Sequence, residues 1–267
     1  MKPILAAILM LPLSLSTSAG EAQDKPTTPK QQYAALLKKY GPVSGALRKA
    51  SSDLERKAAV ERLAEFSSKF IGLAEKYPDD PVALTALRQA VQAVGSTDSA
   101  TQITWETNRS EFPAGNTDNS AERTVALVLR DHVLSDKLGP VIDRMRYGYR
   151  LEYEKCLSTV LEKNPHREVQ ALTCLVLAQY LQDKLRMIRL AQDRPELAKC
   201  YEIVFGKDFL PALQRLGQAG LATRIESLFE RAANEYADVK FRSGTIGETA
   251  KSPPTSRGRI RTGSSSS

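Results

Sequence analysis

Asn164-Pro165-His166-Arg167-Glu168-Val169-Gln170-Ala171-Leu172-Thr173-Cys174-Leu175-Val176-Leu177-Ala178-Gln179-Tyr180-Leu181 decides the fold. An Asn-Pro pair opens it, and Pro is tolerated where a helix begins because the N–H it lacks has no partner there. From Leu172 to Leu181 the stretch is apolar nearly all round. A helix of that kind must be enclosed by others. The reading places it from 165 to about 191 as the most buried element.

The same grammar extends outward. Ser52-Asp53-Leu54-Glu55 is a capping box, in which the Ser side chain takes the N–H three residues on and the Glu reaches back. The helix it opens has Val60, Leu63, Ala64, Phe70, Ala74 and Tyr77 near helical spacing and is stopped by Pro78. Asp80-Pro81 starts the next helix, which Gly95 is expected to end. A first helix over 30–50 contains Gly41-Pro42, which should kink or break it. Residues 95–119, rich in Ser, Thr, Asn, Gly and Asp, read as a long loop. Further helices are expected over 120–133, 136–147 (capped by Ser135), 149–163, 195–206, 208–218 and 221–237. The last has the stripe Leu221, Ile225, Leu228, Phe229, Ala232, Ala233, Tyr236.

Glu75-Lys76-Tyr77-Pro78 returns as Glu162-Lys163-Asn164-Pro165, and Ala83-Leu84-Thr85-Ala86-Leu87 as Ala171-Leu172-Thr173-Cys174-Leu175. Both read helix, Pro-marked turn, helix, the local grammar of tetratricopeptide-like hairpins. Their offset of 87–88 residues is not a multiple of a 34-residue repeat. The expected architecture is therefore all-α, an irregular stack or bundle of helical hairpins, with about nine or ten helices.

The N-terminus predicts export. Lys2 precedes an apolar run from Pro3 to Leu15 and the small residues Ser16 to Gly20, with Thr17 at −3 to a cut after Ala19. The organisation expected is a signal peptide over 1–19, a linker over 20–29, a helical domain over 30–239 and a disordered basic tail over 240–267, in a periplasmic or secreted protein. The net charge of +7 does not indicate nucleic acid. Lys2 and residues 240–267 hold six of those seven charges, leaving residues 3–239 at +1, without the footprint that a phosphate backbone selects.

No zinc-protease, phosphate-loop, dinucleotide or nucleophile-elbow motif is present, and the two histidines, His132 and His166, are 34 residues apart. Neither a cofactor, a metal nor a catalytic set is indicated. Cys156, Cys174 and Cys200 are spaced by 18 and 26 residues, without a C-x-x-C pair. Cys174 reads foremost as a small buried hydrophobe, and a Cys174–Cys200 bridge in an oxidising compartment is the alternative. The one unusual cluster is Arg144, Arg146 and Arg150 with Tyr147, Tyr149 and Tyr153 interleaved. It reads foremost as a helix corner with Tyr stems packed and Arg heads in water, and a contact surface for an acidic or phosphorylated partner is the alternative.

Glu162 to Gln170, with Cys174-Leu175 and Leu177 to Leu181, Gln32 to Lys38, Leu129 to Val133, Lys137 to Pro140, Glu235 to Lys240 and Gly244 to Glu248, carries a resemblance. The chain resembles the helical N-terminal region of exported bacterial thioredoxin-like (TlpA-type, peroxiredoxin-like) proteins over roughly 30–250. In that family the helical region precedes a thioredoxin fold that holds the redox chemistry, and the similarity here stops near Ala250. Gly41-Pro42 departs from the continuous first helix of the family. The resemblance implies an accessory region without its catalytic domain, a non-catalytic scaffold whose partner is a protein, with a thioredoxin-like domain the first candidate. Thiol–disulfide or antioxidant activity is the alternative it raises, and the missing C-x-x-C opposes it.

Overall fold

The computed structural model describes residues 28–108, 119–146, 148–215 and 217–251. The expected signal peptide, nearly all of the expected linker, Tyr147 and residues 252–267 of the expected tail lie outside the described residues.

The fold is all-α. Among the described residues there are eleven α-helices, one π-helical segment and one two-stranded ribbon. Helix α1 (Pro29–Lys49) is opened by a capping box from Thr28 and Gln31. It runs unbroken through Pro42, contrary to expectation. Gly41, Pro42 and Lys38 face solvent, so the Lys38 carbonyl that Pro42 cannot serve is left to water rather than to the core. Helix α2 (Asp53–Lys76) has the predicted capping box at Ser52 and Glu55. Its buried face, with Leu63, Phe66, Phe70 and Ile71, packs on α1 and α3.

Helix α3 spans Val82–Asn108 and does not end at Gly95. The expected loop over 95–119 is therefore helix as far as Asn108, and residues 109–118 lie outside the described residues. Local propensity is overridden here by burial. Ala90, Ala93, Val94, Thr97, Ala100 and Thr101 form one buried stripe at spacings of three and four. The Ser96, Thr97 and Thr101 hydroxyls donate to the carbonyls of Gln92, Ala93 and Thr97, so the small polar side chains are satisfied inside the helix.

Helix α4 (Ser120–Leu127) passes into a π-helical turn (Val128–His132). Arg123 ties α4 to α2 through two 2.9 Å bonds to Glu75. Helix α5 (Gly139–Met145) starts later than the expected 136, because Ser135 takes the Lys137 N–H in a local turn and Pro140 sets the true first turn. Helix α6 (Glu152–Lys163) leads through Asn164-Pro165 to α7 (Arg167–Asp193). Asn164 is not the cap of α7. It accepts the His166 N–H and donates to the carbonyls of Val133 and Ser135, lashing this turn to the end of the π-helical segment.

Helix α7 is the axis of the molecule. Fifteen of its residues from Val169 to Ile188 are buried. Around it pack α5, α6, α8 (Pro195–Phe205), α9 (Phe209–Arg215), α10 (Gln218–Glu235) and α11 (Ile246–Lys251). Gly206, with φ 96°, ends α8 in a conformation that only Gly adopts freely. Helix α10 buries the predicted Leu221, Ile225, Leu228 and Ala232 against α7.

The expected disordered tail does not begin at 240. Strands β1 (Lys240–Phe241) and β2 (Gly244–Thr245) pair antiparallel, and α11 follows directly. Thr245 and Glu248 cap α11 reciprocally, and Ile246 and Ala250 are buried. These elements are too short to show a hydrophobic period, so their order comes from contacts with the body. Arg167 holds Asp238 by two bonds of 2.7 and 3.1 Å, and the Arg146 guanidinium lies 5.2 Å above the Phe241 ring.

Gly247 sets how closely α11 approaches. A Cβ there would lie 2.8 Å from the Ala237 Cα and 2.9 Å from its carbonyl oxygen, both backbone atoms that cannot swing away. Gly247→Ala is expected to cost about 1–3 kcal/mol in urea unfolding, the range for overpacking. A loss below about 0.5 kcal/mol contradicts this packing.

Candidate functional site

The Arg/Tyr cluster is a packed corner, but only Arg144 keeps its head in water, so it does not assemble as a contact surface either. Arg144 is exposed, but Arg146 is buried at 2% exposure and its guanidinium pairs with Asp143. Tyr147 lies outside the described residues. Tyr149 stacks on Phe205, with centroids 5.0 Å apart and planes at 12°. Arg150 turns inward to a partner the sequence reading missed, Asp98 of α3. Its Nε donates to Oδ2 at 2.9 Å and its Nη2 to Oδ1 at 2.7 Å.

This pair sits in a buried ionic cluster. Asp98 is 2% exposed and Lys184 of α7 is 1% exposed. Lys184 Nζ donates to the Gly148 carbonyl at 2.8 Å and lies 3.7 Å from Asp183 Oδ2. It sits 4.6 Å from the Tyr180 ring centroid and 5.3 Å from that of Tyr149, whose π faces offset part of its lost hydration. The Tyr180 hydroxyl donates to the Arg150 carbonyl at 2.9 Å. Desolvation decides the direction for Asp98 and Lys184. It pushes the Asp98 carboxyl above its ordinary value against the pull of Arg150, and the Lys184 ammonium below its own against Asp183. Burial also raises the Tyr149 hydroxyl to about 12 and the Tyr153 hydroxyl further. Asp98 was hidden because its Ser/Thr-rich surroundings read as loop. The usable signal was the Ala93/Thr97/Ala100/Thr101 spacing, which makes it helical, and for Lys184 its place four residues after Tyr180 on an apolar face.

The cysteines are all buried and none is in a disulfide, so the Cys174–Cys200 bridge is not formed. Cys174 faces α10, where its thiol donates to the Leu228 carbonyl at 3.3 Å. Cys200 belongs instead to a small separate cluster with Val204 on α8. Burial raises the Cys156 thiol to about 12 and the Cys174 thiol to about 11. Thiols of that kind hold almost no thiolate at neutral pH, and the thiolate is the nucleophile.

An open groove of about 400 Å³ separates the α2–α3 turn from the π-helical segment and the turn after it. Pro78, Asp79, Asp80, Leu84, Asp131, His132 and Leu134 are among its lining residues. Asp80 is engaged in capping, accepting the Val82 N–H at 2.8 Å. Asp131 accepts from the Nε and Nη2 of Arg130, each at 2.7 Å. His132 is half-buried, and desolvation lowers its pKa against the opposing pull of Asp131 and Asp79. Its imidazole is thus largely neutral at pH 7. Among the described residues no three or more His, Cys, Asp or Glu side chains are grouped to hold a metal ion. His166, the other histidine, stands before α7 without a capping side-chain bond.

No family model, curated protein or solved structure matches the chain.

Three outcomes follow from this geometry. Asp98→Ala removes both charge-assisted bonds that the largely buried Arg150 guanidinium makes to it, and is expected to cost about 3–5 kcal/mol in denaturant unfolding. A cost under about 1 kcal/mol contradicts the buried pairing. The folded pKa of His132 is depressed, so its contribution to stability is present above the unfolded value and lost as pH falls through and below about 6.5. NMR titration is expected to place the imidazole midpoint below that value, and His132→Phe to remove this part of the acid sensitivity. Native protein is expected to react negligibly with an aromatic disulfide reagent at pH 8, with all three thiols titrating after denaturation. Rapid native labelling of Cys156 or Cys174 contradicts their burial.

Proposed function

We propose that this chain is a non-catalytic helical scaffold that works by binding a protein partner. The observation that carries the reading is where the chemistry-bearing groups are spent. All three thiols are buried, burial raises those of Cys156 and Cys174, and the buried Asp98 and Lys184 are engaged inside the fold, Asp98 by Arg150 and Lys184 by the Gly148 carbonyl and Asp183. A catalytic site would keep such groups at a cleft. Stacked helical hairpins present long, rigid outer faces, which suits recognition.

The resemblance to the helical N-terminal region of exported thioredoxin-like proteins supplies the class of partner, a thioredoxin-like domain in the cell envelope. The signal-like segment from Lys2 to Ala19 supports export. The inaccessibility of the three thiols argues against intrinsic thiol–disulfide activity.

Purified chain and its Cys156→Ser/Cys174→Ser/Cys200→Ser variant are compared in an insulin-reduction assay, alone and with an exported thioredoxin-like domain whose binding is followed by calorimetry. The proposal predicts background activity for both chains alone and saturable binding of the domain by both. Reduction by the chain alone that disappears in the triple variant overturns it, as does a complete lack of association.

A further inference from the structure

The segment Gly148–Leu151 between α5 and α6 is a strap whose polar groups are nearly all spent on buried partners. The Gly148 carbonyl takes Lys184, the Arg150 guanidinium takes Asp98, and the Arg150 carbonyl takes the Tyr180 hydroxyl. Tyr149 lies on Phe205 of α8. Beneath the strap, the Tyr153 hydroxyl is buried without a hydrogen-bond partner. Gly148 is pressed so close to this ring that a Cβ there would stand 2.3 Å from its edge. Three charges and an unsatisfied hydroxyl are thus held out of water at one place. Buried ions regain hydration when water reaches them, so a seam built from them is held less firmly than an apolar seam of equal area. Across the seam, α3 from Ser96 to Thr101 is a helix of small polar residues with back-bonded hydroxyls, weak in its own right.

We propose that the strap 148–151 and the Ser96–Thr101 stretch of α3 open together as one sub-global unit, hydrating Asp98, Arg150 and Lys184 and uncovering Tyr149 and Phe205 while the centre of α7 stays folded. The opening is a latch release built into the fold and does not depend on the identity of any partner.

Native-state hydrogen exchange at low urea reads the opening directly. In the unsubstituted chain, the amides of 96–101 and 148–151 are expected to share one opening constant and one urea dependence, both smaller than those of the α7 centre. Asp98→Asn is expected to lower protection of both segments together. The triple variant Asp98→Leu/Arg150→Met/Lys184→Met is expected to raise it about tenfold or more, since an apolar replacement of a buried ion group often stabilises. Separate opening constants for the two segments, exchange only through global unfolding, or lowered protection in a folded triple variant each overturn the proposal. If the triple variant does not fold, the shared constant in the unsubstituted chain decides alone.

Discussion

A helix that is apolar on every side cannot stand at a surface, and α7 imposes that constraint on the whole chain. From Thr173 to Leu181 every residue is buried. Every later helix, and α5 and α6 before it, takes its place by covering one of its faces. The cost of deleting a methylene there is both lost transfer energy and a cavity, because neighbours close in from all sides. The N-terminal layer of α1, α2 and α3 is more loosely coupled. It meets this axis chiefly through α3, on α5 and α8, and through α4, on α6.

Against that apolar axis the buried charges have a different task. Asp98, Arg150 and Lys184 join α3, the strap and α7, three elements distant in sequence. Buried ion groups add little net stability but accept few alternative partners, so here they specify which elements meet. The exposed pairs act more weakly at the periphery. Arg167 with Asp238 and Arg123 with Glu75 are bidentate but hydrated, and each fixes the rim of an already packed seam.

The long periodic helices were legible because their signals are local. Ser52 and Glu55 announce α2, Pro195 and Gly206 bracket α8, and the Leu221-to-Ala232 stripe draws α10. Two of the misreadings share one cause. Gly41-Pro42 and the Ser/Thr stretch after Gly95 carry low propensity, yet tertiary context overrides it, by leaving the Pro42 side to water and by burying the α3 stripe. The 240–251 unit escaped for the opposite reason, having no local period and being ordered by Arg146, Arg167 and α10. The Arg/Tyr cluster was noticed as a run in sequence, but a run does not say which way side chains point. Arg150 faces inward because Asp98 awaits it, a partner 52 residues away.

Helix α7 is the buried axis, and the 148–151 strap is the place where buried charge is concentrated beside it. Helix α7 is expected to be the last element to let go. Native-state hydrogen exchange of the Leu175–Leu181 amides tests this most directly. The account predicts that these amides exchange only through global unfolding, with a free energy equal to that from urea denaturation monitored by helical signal. Exchange of α7 by a lower-energy local opening, with α2 or α10 still protected, would contradict it.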